Sequence, residues 1–154
     1  MHRSRAIVLN KTNYSETSLI IKIYTEQEGL LSFIVKGIRG KKGKLRMAQF
    51  QALNLIEIDY KKSGKSDLRY LLDLKINEPF SDLLFDPIKR AVALFMAELI
   101  QNSIKEEEQN QALFQFLHQS IHWLDLRASV LETSMFIGQF LSHSLQFMHF
   151  LSSL

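Results

Sequence analysis

The sequence predicts a chain in two parts, a five-stranded β-barrel followed by an α-helical half, and three observations carry that prediction. Apolar residues alternate at period two up to about Phe80, and beyond it they recur at three- and four-residue spacing. The charge changes sign at the same place: residues 1–80 hold fifteen Lys and Arg against eight Asp and Glu, net +7, whereas residues 81–154 hold four against eight, net −4. The only prolines, Pro79 and Pro87, bracket the change. Two domains are therefore expected, 1–80 and 81–154. With 46% hydrophobic and 23% charged residues, the composition is that of a globular, folding chain.

The unbroken apolar run Ala6–Leu9 is the first strand candidate. In the second, Leu19, Ile21 and Ile23 alternate with Ile20, Lys22 and Tyr24; in the third, Leu31, Phe33 and Val35 alternate with Ser32, Ile34 and Lys36. Leu53 to Tyr60 is the fourth candidate, and Leu68 to Lys75 the fifth. Glu28-Gly29 and Ser63-Gly64-Lys65 carry turn chemistry. Five short strands suit an OB-fold-like barrel, whose closure removes sheet edges, and the count alone equally allows an SH3-like barrel.

Asp86-Pro87 reads as an N-cap followed by proline at the first helical position. The helix it opens is expected to run to about Lys105, with Ile88, Val92, Phe95 and Leu99 on its apolar face. After the polar stretch Glu106–Asn110, a second helix presents Leu113, Phe116, Leu117, Ile121 and Leu124, and a third is expected from about Val130 to near the end. Thr133 to Leu154 carries no Lys, Arg, Asp or Glu, yet Ser, Gln and His recur throughout it, so a bundle helix is expected rather than a membrane span. No charged and apolar leader opens the chain, and export is not expected.

Catalytic motifs are not in evidence: there is no P-loop, no Ser-His-Asp order and no paired-carboxylate pattern. No enzyme and no cofactor are expected. The absence of cysteine excludes disulfides and thiolate metal sites. His118 and His122 share a helix face at the spacing zinc helices use, but Gln119, Ser120 and Ile121 lie between them and no third ligand is evident, so no structural zinc is expected. Glu106-Glu107-Glu108 reads as a solvated connection.

The most pointed feature is the stretch VKGIRGKKGKLRM, Val35 to Met47, which packs Lys36, Arg39, Lys41, Lys42, Lys44 and Arg46 into eleven residues with three glycines and no acid. Its Gly37, Gly40 and Gly43 match neither the Walker nor the dinucleotide fingerprint, and a KH-type clamp would need flanking helices rather than strands. Read as a solvated hairpin loop it needs no ligand; on an already basic barrel it suits phosphate contacts, which release condensed counterions. Tyr24, Phe33, Tyr60 and Tyr70 are candidates for stacking on bases, with one or two at most expected at the surface.

The order Glu16-Thr17-Ser18, Tyr24-Thr25-Glu26, Gly29 and Lys36-Gly37-Ile38-Arg39 resembles the amino-terminal domain of RecO, the bacterial recombination mediator family, and the resemblance continues through the helices to about Asp125. It implies a non-enzymatic DNA-repair protein of the bacterial cytoplasm and nucleoid that binds single- and double-stranded DNA. It further implies annealing of complementary strands coated by single-strand-binding protein, and work with RecR in loading RecA. Lys36 and Arg39 match the family's Lys-Gly-x-Arg and are the first expected phosphate contacts, with Lys41, Lys42, Lys44 and Arg46 in support and Arg3, Arg5 and Lys22 extending the track if they share its side of the barrel. RecO proteins usually continue with more helices, often with a four-cysteine zinc element, so the helical half is expected to be incomplete. Composition alone also allows an RNA-binding or ribosome-associated OB-fold module, or an adaptor for acidic partner segments.

Overall fold

The computed structural model describes residues 1–38, 45, 47–62, 68–104, 109–127, 135, 137–143 and 146. Five strands, β1 (His2–Asn13), β2 (Ser18–Thr25), β3 (Gly29–Lys36), β4 (Leu55–Lys62) and β5 (Leu68–Ile76), close a barrel in the order β1-β2-β3-β5-β4. β4 returns to β1, and β3 lies parallel to β5 while the other pairs are antiparallel. This is the OB-fold arrangement, and it decides against the SH3-like alternative.

Side-chain alternation places the core. Leu19, Ile21 and Ile23 of β2 and Leu31, Phe33 and Val35 of β3 point inward with Ala6, Val8, Ile56, Ile58, Tyr60, Leu71 and Leu74. β1 is buried on both faces: Ala6 and Val8 line the interior, while Ile7 and Leu9 join Tyr24, Leu53 and Leu55 on the outside, under the helices. That double burial explains why the run Ala6–Leu9 has no polar alternation. β1 is longer than its apolar run suggests, because Lys11, Thr12 and Asn13 keep pairing with Ile21, Ile20 and Leu19 beyond a register shift between Val8 and Asn10. Leu53 adopts φ 64°, a strained left-handed conformation for a leucine. Full burial of its side chain and a 2.7 Å bond from its N–H to the Val8 carbonyl hold it there.

Helix α1 (Pro87–Ser103) begins as its sequence predicts, with the Asp86 carboxylate accepting from the N–H groups of Ile88 and Lys89 at 2.8 and 3.2 Å. Its buried face differs from the expected one. Val92, Ala93, Met96, Ala97 and Ile100 face the core, whereas Ile88 and Phe95 are 46% and 45% exposed. Ala93 and Ala97 let the helix approach closely, which outweighs the larger apolar surface of the neighbouring face. Helix α2 (Gln111–Arg127) buries Leu113, Phe114, Leu117, Ile121 and Leu124, in line with the expected stripe except that Phe114 is the more deeply buried phenylalanine. Residues 137–143 are helical, and Phe140 among them stacks on Phe116 with ring centroids 5.7 Å apart. Among the described residues no helix is long and apolar enough to cross a membrane.

The chain between barrel and helices is fastened by Asp125. Its carboxylate accepts from the N–H groups of Ser81, Asp82 and Leu83 and from the Ser81 hydroxyl, at 2.7 to 3.0 Å. The buried Lys89 ammonium donates to the Asp125 carbonyl at 2.7 Å, tying α1 to the same point.

Candidate nucleic-acid interface

The basic stretch leaves the barrel at Lys36, the last residue of β3, which pairs with Ser18. Gly37 turns the chain with φ 71°, a region that favours glycine and explains the Lys-Gly step. Ile38 is buried in the barrel core and donates its N–H to the Thr17 carbonyl at 3.2 Å; Leu45, on the far side of the stretch, is buried in the same core. Two apolar residues thus seat the segment at both ends. Arg39, Lys41, Lys42, Lys44 and Arg46 lie outside the described residues.

At the root of that segment three side chains gather. The ammonium groups of Lys36 and Lys61 lie 5.4 and 5.7 Å from the centroid of the Tyr70 ring. Register accounts for the grouping: Lys61 of β4 stands opposite Tyr70 of β5, and Tyr70 is beside Ile34, two residues before Lys36 on the same outer face. Both lysines are exposed, Tyr70 is half-buried, and among the described residues neither lysine meets a carboxylate. Lys22 shares this side, since it pairs with Ser32, four residues before Lys36 and roughly 13 Å away at ~3.3 Å per residue. Lys61 is absent from the sequence expectation, although its cross-strand position becomes readable once the β4–β5 register is known.

The arginines of β1 are placed differently. Arg5 grips Glu26 through two bonds of 2.9 and 2.5 Å and lies 5.5 Å over the Phe114 ring, against the helices. The bond to Glu26 holds the guanidinium firmly protonated, and the same bond holds the Glu26 carboxyl below its ordinary value. Arg3 is likewise held by Asp59, at 2.8 and 3.0 Å. The structure does not bring Arg5 to the Lys36 group.

The aromatics divide in the same way. Tyr24 is buried under α2, stacked on Phe114 at 6.3 Å, and burial pushes its hydroxyl up to about 12. Phe33 and Tyr60 fill the barrel, edge to face at 5.3 Å, with the Tyr60 hydroxyl donating to Glu28 at 2.7 Å. Of the four candidates only Tyr70 reaches the surface.

Known proteins resemble this chain along most of its length. The family profile described as recombination protein O N terminal matches residues 1–80, and that described as recombination protein O C terminal matches residues 84–146. A DNA repair protein RecO of Flavobacterium psychrophilum is 35% identical over 88% of this chain and 61% of its own length. Its counterparts in Christiangramia forsetii and Bacteroides fragilis are 37% and 38% identical, over 79% and 81% of this chain and 52% of theirs. The chain therefore spans between half and two thirds of the length of these relatives.

Proposed function

The chain belongs to the recombination protein O family, and we propose that it serves DNA repair by holding DNA on the side of the barrel that the helices leave uncovered. One observation carries this reading: Lys36 and Lys61 flank Tyr70 at the root of a cation-rich segment, and no described acid neutralises them. Lysines free of carboxylates can exchange counterions for phosphates, and a tyrosine between them offers a face on which a base stacks. Neither contact reads base edges, so binding is tolerant of sequence. Arg39, Lys41, Lys42, Lys44 and Arg46, which follow Lys36 in the sequence, are assigned the same role, and Lys22 lies on the same outer face of β2 and β3.

A surface that grips backbones and leaves base edges unread suits annealing, because a held strand keeps its pairing edges available. The wider part played by the family's longer members, pairing strands coated by single-strand-binding protein and helping RecR to load RecA, is the role we propose for the protein to which this barrel belongs. It acts as a mediator by binding rather than by catalysis, in the compartment that holds the chromosome.

Titration of single-stranded DNA at several salt concentrations tests the reading. With about four phosphates neutralised at ~0.7 ions each, log K should fall against log salt with a slope near −3. The double variant Lys36→Glu/Arg39→Glu should stay folded and bind much more weakly. A salt-matched competition with single-stranded RNA should leave the DNA complex dominant, and preference for RNA would move the barrel to the RNA-binding alternative.

A further inference from the structure

We propose that Glu78, His118 and His122 form a binding site for a divalent transition ion of the zinc class, which fastens the connection between barrel and helices to α2. The sequence offers only two of these ligands together. The third arrives through the fold, because Glu78 follows β5 by two residues and the connection then crosses over α2.

Several observations converge on the site. The Nε2 atoms of both histidines approach the same carboxylate: His118 lies 3.7 Å from one Glu78 oxygen, and His122 contacts the other. The imidazole rings are 4.9 Å apart, and one ligand atom from each of the three residues falls within a 4.8 Å set. Two imidazoles and one carboxylate are the donor set of His₂Glu zinc sites, in which a water occupies the fourth position. Bonds of about 2.0–2.1 Å in a tetrahedron require donors roughly 3.3 Å apart, so the widest separation must close by about 1.5 Å. Glu78 already reaches both histidines, so the closure falls on the two imidazoles turning about their side-chain bonds, and the exposure of Glu78, 43%, leaves a path for the ion.

The surroundings hold the ligands in place. His118, His122 and Asp125 recur at four- and three-residue spacing along one face of α2. Asp125 fastens Ser81, Asp82 and Leu83 to that face, and this brings Glu78, three residues earlier, over the two histidines. A bound ion would extend the same seam by one more cross-link. A plain ion pair between Glu78 and a protonated His122 would use only one imidazole, and it would give the chain no selective affinity for transition ions.

The full chain, freed of metal by a chelator, is dialysed against micromolar zinc and its bound zinc measured; cobalt absorption then reports the coordination. The expected result is one zinc per chain, a tetrahedral cobalt spectrum, and a thermal midpoint that rises with zinc. Glu78→Ala, His118→Ala and His122→Ala should each weaken binding at least tenfold, and His2→Ala should leave it unchanged. Circular dichroism of each variant without metal confirms its fold, and the wild-type cobalt spectrum stands independently of them. The proposal is overturned if the wild-type chain retains no zinc, if cobalt shows only hexahydrate-like absorption, or if binding survives in the folded Glu78 or His122 variant.

Discussion

Two sides of one barrel have opposite fates. On the β1 side, Ile7, Leu9 and Tyr24 lie beneath α1 and α2, and the nearby cations are spent on acids, Arg5 on Glu26 and Arg3 on Asp59. On the β3–β5–β4 side, Lys36 and Lys61 stand at the surface beside Tyr70, and among the described residues neither is paired with a carboxylate. Counting cations would assign both sides to a polyanion. Their partners separate them: an arginine paired with a carboxylate has its charge offset and two of its five donors engaged, whereas an unengaged lysine keeps its full charge for a phosphate.

The contrast is broken most severely at Phe114, which is 1% exposed between Tyr24 and Arg5. Phe114→Ala should cost about 3–5 kcal/mol in a urea unfolding series. Tyr70→Ala, on the open side, should shift the same midpoint far less. Next is Asp125→Ala, which leaves the N–H groups of the connecting chain without their acceptor and should cost about 2–3 kcal/mol. This group also sets a pH dependence. Burial alone would raise its pKa, but the bonds from Ser81, Leu83 and Asp82 outweigh burial and hold it below the ordinary 3.8. The folded chain then binds that proton less readily than the unfolded one. The stabilisation is complete above the unfolded value and is lost as pH falls through the folded one, so Asp125→Asn should flatten the acid limb of a stability–pH curve.

Tyr70→Ala sharpens the comparison from the other side. It should lower affinity for single-stranded DNA by about tenfold, within the ~1–3 kcal/mol of a base–aromatic stack, with the salt slope unchanged because no charge is lost. The smallest effect belongs to the engaged arginines: Arg3→Ala/Arg5→Ala should lower the unfolding midpoint slightly, and the difference should shrink as salt is added.

The strands and their inward faces are legible in the sequence, because a period-two pattern such as Leu19, Ile21 and Ile23 has one way to face a barrel core. The start of α1 is legible from Asp86-Pro87 for a local reason, the cap being complete within three residues. Its buried face is less so. Ala93 and Ala97 weigh little in an apolar pattern, yet they decide how closely the helix approaches the barrel. The candidate site divides along the same line. Lys36 is legible from the charge run and the Lys-Gly step, but the engagement of Arg5 depends on Glu26, twenty-one residues on and brought alongside by the β1–β2 pairing. Lys61 beside Tyr70, and Glu78 over His118 and His122, arise likewise from long-range closure, to which no local spacing gives access.

The central claim is that partners, rather than positions in a charge count, decide which cations meet DNA. Its most direct test measures single-stranded DNA affinity for Lys36→Ala/Lys61→Ala against Arg3→Ala/Arg5→Ala, two folded variants that each lose two positive charges. The lysine pair should bind about tenfold more weakly, with a salt slope shallower by about 1.4, at ~0.7 for each lost phosphate contact, while the arginine pair should stay within about twofold of the parent. Equal losses in the two variants would contradict the account, since the barrel would then attract DNA through its overall charge and the uncovered lysines would have no special part.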